Sequence, residues 1–240
     1  MKPYLIWMTL LTLLGASAVW AQSDTLSTAD GPLKITPIKH GSLMLEFKNK
    51  TIHVDPWSQG DYTGLPKADL ILITDIHGDH MDPAKIKDLK KSETVIISPQ
   101  AVAQTVTEAT VLHNGESKTF EGIRIEAVPM YNLVRGPAEG KRFHDRGRGN
   151  GYVLTVGGKR IYLSGDTECI PEMKSLKQID VAFICMNLPY TMTPAEAAEC
   201  VKAFQPKVVY PYHYRDSDLT AFTEALKADK TIEVRLRKWY

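Results

Sequence analysis

The sequence predicts an α/β fold in which two β-sheets pack face to face and helices cover their outer surfaces, an αββα four-layer sandwich. Strand-like and helix-like segments alternate along the chain, and the second half repeats the order of the first. Residues 69–74 form a continuous apolar run, which is typical of a strand buried on both faces inside such a layered structure.

The first half contains short β-like runs before and after this buried strand. Asp82 followed by Pro83 predicts a helix start, because Asp is a good N-cap and Pro suits the first helical position. The helix is expected to run to about residue 91. The other strands are expected at residues 34–39, 43–47, 51–54, 95–97, near 111 and 123–128, with a short helix at 100–105.

The second half opens with a predicted hairpin that turns at Gly157-Gly158. Thr193 and Glu196 form a capping box that should start a helix reaching residue 204. The remaining elements are the hairpin strands 152–156 and 160–163, strands 181–185, 207–212 and 231–237, and a helix at 219–227.

Residues 1–21 have the pattern of a signal peptide: Lys2, an apolar run, and small residues up to Ala21. The apolar run is too short for the roughly 20 residues of a spanning helix, which disfavours an uncleaved membrane anchor. We therefore expect cleavage after Ala21, a single domain over residues 22–240, no stable membrane anchor, and a periplasmic or secreted protein.

The charge balance of the mature chain is even. The full chain has 29 basic and 28 acidic residues, and loss of Lys2 with the signal peptide leaves 28 of each. This balance gives no reason to expect nucleic acid as a partner, and a small-molecule substrate fits it. The oligomeric state is open.

The three cysteines, Cys169, Cys185 and Cys200, have no metal-ligand spacing. Buried small apolar residues are the favoured interpretation over a disulfide framework, and a bridge between two of them stays open if the compartment is oxidising.

Residues 73–82 place two histidines and three carboxylates in the turn after the buried strand. Imidazole and carboxylate groups bind Zn²⁺ and similar ions, and Gly78 lets the turn fold tightly enough for neighbouring side chains to converge. The alternative is a polar loop that caps the next helix. The candidate metal ligands in this segment are Asp75, His77, Asp79 and His80.

Asp166 and His213 each follow directly on another predicted strand. Because the carboxyl ends of strands gather sites in α/β structures, both side chains can reach the first cluster. Taken singly, each has an ordinary alternative: a turn aspartate for Asp166 and a strand-end histidine for His213.

Together these segments resemble the metallo-β-lactamase superfamily, and most closely the branch that is similar to ascorbate-6-phosphate lactonase. Supporting pieces are His40-Gly41-Ser42, the run from Val54 to Trp57, Gly165-Asp166-Thr167 and the run from Pro211 to Tyr214. The resemblance covers nearly all of the mature chain. It implies an αββα fold and one metal site formed by Asp79, His80, Asp166 and His213.

Two positions depart from the superfamily pattern. Asp75 stands where the family has its first histidine, and Tyr131-Asn132 stands where its third histidine is expected. The second site, from Asp75 and His77, therefore lacks a ligand. His144, in the long loop after Tyr131, is the candidate replacement, with a solvent-exposed loop histidine as the alternative.

The loop from Arg135 to Arg148 is rich in cations, and Arg215 follows the final histidine. If the loop folds inward, it presents cations to an anionic substrate; a solvated basic loop is the alternative. On this basis Tyr131, Asn132 and Arg146 are assigned to substrate binding. Trp57 and Tyr190 are candidate pocket walls, with aromatic core packing as the alternative. His40 and Asp55 match family positions beside the site and are expected to orient the ligands.

The resulting hypothesis is an exported hydrolase that binds one or two divalent ions and attacks an ester, lactone or phosphodiester with metal-bound hydroxide. Zn²⁺ is the expected ion, and Asp75 makes the ligand set hard enough to admit Mn²⁺ or Fe²⁺. Asp79 is the expected catalytic residue. The alternative is a metal-binding protein of the same fold without hydrolytic turnover.

Overall fold

The computed structural model describes residues 23–240, so the predicted signal peptide lies outside the described residues. Within residues 23–240, fourteen strands form two seven-stranded sheets, and in each sheet neighbouring strands are also consecutive in the chain. Each sheet is mixed, with an antiparallel half and a parallel half.

The first sheet carries the first-half elements and two helices. Asp82 caps the first helix by accepting hydrogen bonds from the backbone N–H groups of Ala84 and Lys85, so the predicted helix start is confirmed. Its predicted end at residue 91 is wrong, because the next strand already begins at Lys90. The elements are β1 Asp24–Thr28, β2 Gly31–Lys39, β3 Ser42–Phe47, β4 Lys50–Val54, β5 Ala68–Leu72, α1 Pro83–Leu89, β6 Lys90–Ser98, α2 Gln100–Ala103 and β7 Thr110–Val111.

The second sheet carries the remaining strands and three helices. The capping box of Thr193 and Glu196 is present and starts the longest of these helices. The elements are β8 Ser117–Phe120, β9 Ile123–Met130, β10 Gly149–Val156, β11 Lys159–Leu163, α3 Pro171–Lys174, β12 Val181–Cys185, α4 Pro194–Phe204, β13 Val208–Tyr212, α5 Leu219–Leu226 and β14 Glu233–Val234.

Strand β5 is buried on both faces, as its apolar run predicts. Leu70 and Leu72 belong to the main core that both sheets share, whereas Ile71 belongs to a second cluster with Ile86 of α1 and Val102 of α2. Successive side chains of a strand point to opposite faces, so β5 joins the two cores. The αββα prediction is confirmed.

Some elements differ from the prediction. Strands β1 and β8 and helix α3 were not expected, and the last strand shrinks to Glu233–Val234. The expectation of three free buried cysteines is wrong for two of them, because Cys169 and Cys200 form a disulfide that links the loop after β11 to α4. Cys185 is free and buried. No helix in residues 23–240 combines the length and apolar character needed to cross a membrane.

Candidate metal centre

The candidate ligands converge at the edge of the two sheets where parallel strands end. This convergence follows from topology, since parallel neighbours place their carboxyl ends side by side. The structure brings together Asp55 after β4, Asp75 to His80 after β5, Asp166 after β11, His213 after β13, His40 after β2, and His144 from the loop between β9 and β10.

Three buried side chains form what we call the inner group: His80, Asp166 and His213. The Nε2 atoms of His80 and His213 lie 3.2 Å apart, and each lies within 3.4 Å of a carboxylate oxygen of Asp166. Oδ1 of Asp166 is buried without a hydrogen-bond partner among the described residues. Ligand atoms that face one another with an orphaned carboxylate oxygen between them fit a bound cation.

Asp55 holds the far side of His80. Its carboxylate accepts hydrogen bonds from the backbone N–H of Thr74 at 2.7 Å and from the Thr74 hydroxyl at 2.6 Å. The remaining contact is 2.8 Å to Nδ1 of His80. This carboxylate–imidazole pair directs Nε2 of His80 into the centre, which is the orienting role expected for Asp55.

Gly41 lets the backbone approach these imidazoles closely. A Cβ at this position would lie 3.2 Å from Cδ2 of His213 and 3.4 Å from Cε1 of His80, tighter than side chains normally pack. Two of the neighbouring site residues, His40 and His213, have left-handed backbone with φ of 55° and 48°. Such strained positions in non-glycine residues cluster at functional sites.

Asp79 reaches the centre from the cavity side, supported by His40. Its Oδ2 lies 3.1 Å from Nε2 of His40 and 3.4 Å from Nε2 of His213. Nδ1 of His40 in turn contacts the hydroxyl of Tyr240, which accepts a 2.7 Å hydrogen bond from the backbone N–H of Arg215. Because the ionised carboxylate of Asp79 can only accept, Nε2–H of His40 donates to it, and Nδ1 of the neutral ring accepts the hydroxyl hydrogen of Tyr240.

The outer group consists of Asp75, His77 and His144. His144 is buried rather than solvent-exposed, and its Nε2 lies 3.2 Å from Oδ2 of Asp166. Its Nδ1 lies 2.7 Å from the amide oxygen of Asn132, which stands at the family's third-histidine position. The ligand role of His144 stays a prediction.

The carboxylate of the outer group already has cationic and polar partners. Both Asp75 oxygens accept hydrogen bonds from the Arg148 guanidinium, at 3.1 and 3.0 Å. Oδ2 also lies 2.8 Å from Nδ1 of His77, whose side chain is 45% exposed. Arg148 thus neutralises a candidate ligand instead of facing a substrate.

The electrostatics of the centre favour bound positive charge. Burial raises the pKa of Asp166, but His213 and His80 hold it well below its ordinary value. Burial likewise raises the pKa of Asp75, but His77 and Arg148 bring it down to about 2. Burial lowers the pKa of His80, whereas Asp166 and Asp55 raise it well above its ordinary value. Both carboxylates are therefore ionised at neutral pH, and the groups that lower their pKa values are the neighbouring imidazoles and Arg148.

The other three arginines of the 135–148 loop are also engaged. Arg135 pairs with Glu168 and Glu196, and Arg146 pairs with Glu172. Arg142 donates to two backbone carbonyls. The expectation of a loop presenting free cations is therefore not supported.

A cavity of about 300 Å³ opens onto both groups. Tyr190 lines it as expected, whereas Trp57 does not. The assigned substrate residues are absent from its lining: Tyr131 donates its hydroxyl to Glu172, and Asn132 donates its amide to the backbone of Tyr190 and Arg135. The cavity is lined by His77, Asp79, Phe143, His144, Asp166, Asn187, Tyr190, His213 and Arg215.

Three residues that line or support the site could not be assigned to their roles from the sequence. Asn187 lies in an unremarkable loop, Tyr240 is the last residue, and Arg148 was expected to face a substrate. Arg215, which lines the cavity, was noted from the sequence, because it follows the final histidine.

The chain is similar to known proteins over most of its length. Residues 34–213 match the model of the beta-lactamase superfamily domain. A UPF0173 metal-dependent hydrolase from Pelotomaculum thermopropionicum is 29% identical over 222 residues, covering 85% of this chain and 96% of that one. A crystal structure of a candidate metal-dependent hydrolase from Parabacteroides distasonis is 48% identical with a TM-score of 0.87, covering 92% of this chain and 100% of that chain.

A more distant structure shares the fold. Igni18, a metallo hydrolase from Ignicoccus hospitalis, is 24% identical with a TM-score of 0.72, and the match covers 85% of this chain and 94% of that chain.

Proposed function

The chain belongs to the beta-lactamase superfamily and is a metal-dependent hydrolase of that superfamily, and from this premise we propose that it cleaves an ester, lactone or phosphodiester bond. The substrate is a small molecule that enters the cavity, and the inner and outer groups hold one or two divalent ions. Zn²⁺ is the proposed ion, with Mn²⁺ or Fe²⁺ as competitors because three of the proposed donors, Asp75, Asp79 and Asp166, are carboxylates.

The convergence of imidazole nitrogens on Asp166 carries this proposal. Nε2 atoms of His80, His144 and His213 all lie within 3.4 Å of an Asp166 oxygen. The opposite nitrogens of His80 and His144 are held by Asp55 and Asn132, which fixes the direction of both rings. Asp166 lies between the two groups and is positioned to serve both.

The proposed mechanism divides the work between the bound ion and the chain. A bound divalent ion would lower the pKa of its water to about 7 and would polarise the carbonyl or phosphoryl oxygen of the substrate. His80, His213, Asp166 and Asp79 would hold the inner ion, and His77, His144 and Asp75 would hold the outer one.

Asp79 has the position for proton transfer. Its side chain is 25% exposed and lines the cavity, so one carboxylate oxygen faces the space that a substrate enters. Hydrogen bonds from His213 and His40 outweigh burial and keep the pKa of Asp79 well below its ordinary value. We propose that the ionised carboxylate of Asp79 accepts a hydrogen bond from the attacking water and orients it.

Elemental analysis and a substrate panel test this function. The purified protein is expected to hold at least one divalent ion and to hydrolyse at least one member of a panel of lactones and phosphodiesters, with loss of turnover after chelation and recovery on adding Zn²⁺, Mn²⁺ or Fe²⁺. Tight metal binding with no turnover on any member would favour the alternative, a metal-binding protein without hydrolysis.

We also propose that the protein is exported to the periplasm or secreted. The signal-peptide pattern of residues 1–21 supports this, and so does the Cys169–Cys200 disulfide, since such bonds persist mainly in oxidising compartments. Cell fractionation with N-terminal sequencing tests it. A mature chain that begins at Gln22 outside the cytoplasm is expected, and an intact Met1 in the cytoplasm would contradict it.

A further inference from the structure

We propose that Arg215 and Asn187 form an anion-binding subsite of the cavity, so that the substrate carries a carboxylate or phosphate group beside its scissile bond. This inference rests on the proposed hydrolytic function. It concerns which chain groups recognise the substrate, and it replaces the loop cations as the source of specificity.

Arg215 is the one cation among the residues that line the cavity. The described residues place no carboxylate within ion-pair distance of its guanidinium, whereas Arg135, Arg146 and Arg148 each have a carboxylate partner. An exposed guanidinium beside a cavity, without an internal partner, is available for bidentate contact with an oxyanion.

The backbone of Arg215 is fixed relative to the metal centre. Its N–H donates a 2.7 Å hydrogen bond to the Tyr240 hydroxyl, and its φ is 44°. His213, two residues earlier, donates its own backbone N–H to the carbonyl of His40 at 3.0 Å. The side chain therefore starts from a defined point next to a candidate ligand, which sets how far an anion bound by it lies from the reacting bond.

Asn187 supplies an independent observation. The residue is 3% exposed and lines the cavity, yet its side-chain amide has no hydrogen-bond partner in residues 23–240. The backbone carbonyl of Asn187, in contrast, has partners, because it accepts hydrogen bonds from the N–H groups of Tyr190 and Thr191. Because the side-chain amide lines the cavity and has no partner in the described part of the chain, its N–H groups are free to donate to a bound oxyanion.

The third wall is aromatic. Phe143 and Tyr190 meet edge to face with ring centroids 5.0 Å apart. Asn132 ties this wall to the centre, since its amide donates to the carbonyl of Tyr190 at 2.7 Å while its oxygen holds His144. The subsite thus combines a cation, an amide donor and an apolar face in a cavity of about 300 Å³, at the small end of ligand sites.

Binding of simple anions tests the subsite without requiring turnover. Calorimetric titration of the metal-loaded protein with inorganic phosphate and, separately, with succinate distinguishes phosphate from carboxylate recognition. Arg215→Gln is expected to weaken binding of at least one of them about tenfold, the size of one charge-assisted hydrogen bond. The metal's own attraction for the anion is common to both proteins and cancels from this ratio.

Matched variants keep the test specific. Arg146→Gln removes another exposed arginine, paired with Glu172 and outside the cavity lining, and is expected to leave anion affinity unchanged. Asn187→Asp keeps the side-chain shape and adds a negative charge, so anion binding should weaken. Equal affinities in wild type, Arg215→Gln and Asn187→Asp would overturn the subsite.

Kinetics separate this inference from the proposed function. On a hydrolysed substrate, Arg215→Gln should raise KM for the anionic form about tenfold and leave a neutral analogue unchanged. Hydrolysis that is insensitive to substrate charge and to Arg215→Gln would overturn the subsite while the hydrolase stands. Anion binding that depends on Arg215, in a protein that hydrolyses nothing, would leave the subsite standing without the hydrolase.

Discussion

The inner and outer groups use the same residue types, but they are supported differently. In the inner group, His80 is backed by Asp55, which is itself fixed by two hydrogen bonds from Thr74. In the outer group, the carboxylate of Asp75 is already shared between Arg148 and His77, and His77 is half-exposed. The residues behind the ligands therefore decide which group binds a cation more tightly, and we expect the inner group to do so.

The largest expected effect comes from removing an inner imidazole. His80→Ala or His213→Ala should remove most of the bound metal and lower hydrolysis by at least about 100-fold, because each deletes one of about four ligands. Elemental analysis of the purified variants measures this. His113→Ala removes an exposed histidine outside the site and serves as control. Full metal content in both inner variants would contradict the assignment.

The second-largest effect on metal affinity should come from Asp55, which holds the ring of His80 in place. Asp55→Asn weakens the carboxylate–imidazole contact without removing a ligand, and metal affinity should fall about 10- to 100-fold. Competition titration with a chelator measures the change. Asp69→Asn, which alters a carboxylate bound to Lys91 far from the ligands, is the matched control. An unchanged metal affinity in Asp55→Asn would mean that the affinity of the inner group does not depend on the contact between Asp55 and His80.

The outer group should lose one ion when its buried histidine is removed. His144→Ala is expected to lower stoichiometry from about two ions to about one, while the inner group retains its ion. Metal content determined together with protein concentration measures this. If the stoichiometry does not change, His144 supports the loop and Asp166 without binding metal.

Arg148 is expected to weaken metal binding by the outer group relative to the inner group, because it competes with a metal ion for Asp75. Arg148→Met keeps an unbranched apolar side chain and removes the charge, so the affinity of the outer group should rise several-fold. Calorimetric metal titration measures it, with Arg124→Met as control, since the exposed side chain of Arg124 pairs with Glu126 on strand β9. A fall in outer affinity would show that Arg148 assists the group by orienting Asp75.

The sequence predicted the fold and the ligand cluster because both depend on local signals. The apolar run before Thr74, the capping residues Asp82 and Thr193, and the polar turn from Asp75 to Asp82 each act within a few residues. Parallel strand order then carries Asp166 and His213 to the same edge without further information. His144 was found because a gap in the family pattern pointed to its loop.

The surroundings of the ligands could not be predicted, because they arise from contacts between distant segments. Arg148 meets Asp75 across 73 residues, and Tyr240 meets His40 across 200. Nothing in the local sequence distinguishes an arginine that pairs with a ligand from one that faces a substrate. The same limit explains why Arg146 was assigned to substrate binding, although it pairs with Glu172.

The smallest expected effect concerns Tyr240, which supports Asp79 through His40. Tyr240→Phe removes the hydroxyl that joins His40 to the backbone of Arg215, so His40 is less firmly oriented toward Asp79. Because one neutral hydrogen-bond network is lost and no ligand is removed, kcat should fall by a few-fold while metal content stays the same. A purely structural role would lower stability and leave kcat of the folded fraction unchanged, so the two are separable.

The neighbouring tyrosine provides the control for this effect. The ring of Tyr214 packs against Tyr240 with centroids 4.9 Å apart, but its hydroxyl contacts the Arg237 carbonyl instead of His40. Tyr214→Phe should therefore leave kcat unchanged, and deletion of residue 240 should repeat the Tyr240→Phe loss and add the loss of ring packing. Equal kcat in wild type and Tyr240→Phe, measured at saturating substrate and matched metal content, would show that Asp79 is positioned by the bound ion and His213 alone. In that outcome the difference between the two groups rests on Asp55 and Arg148, and the chain end contributes packing only.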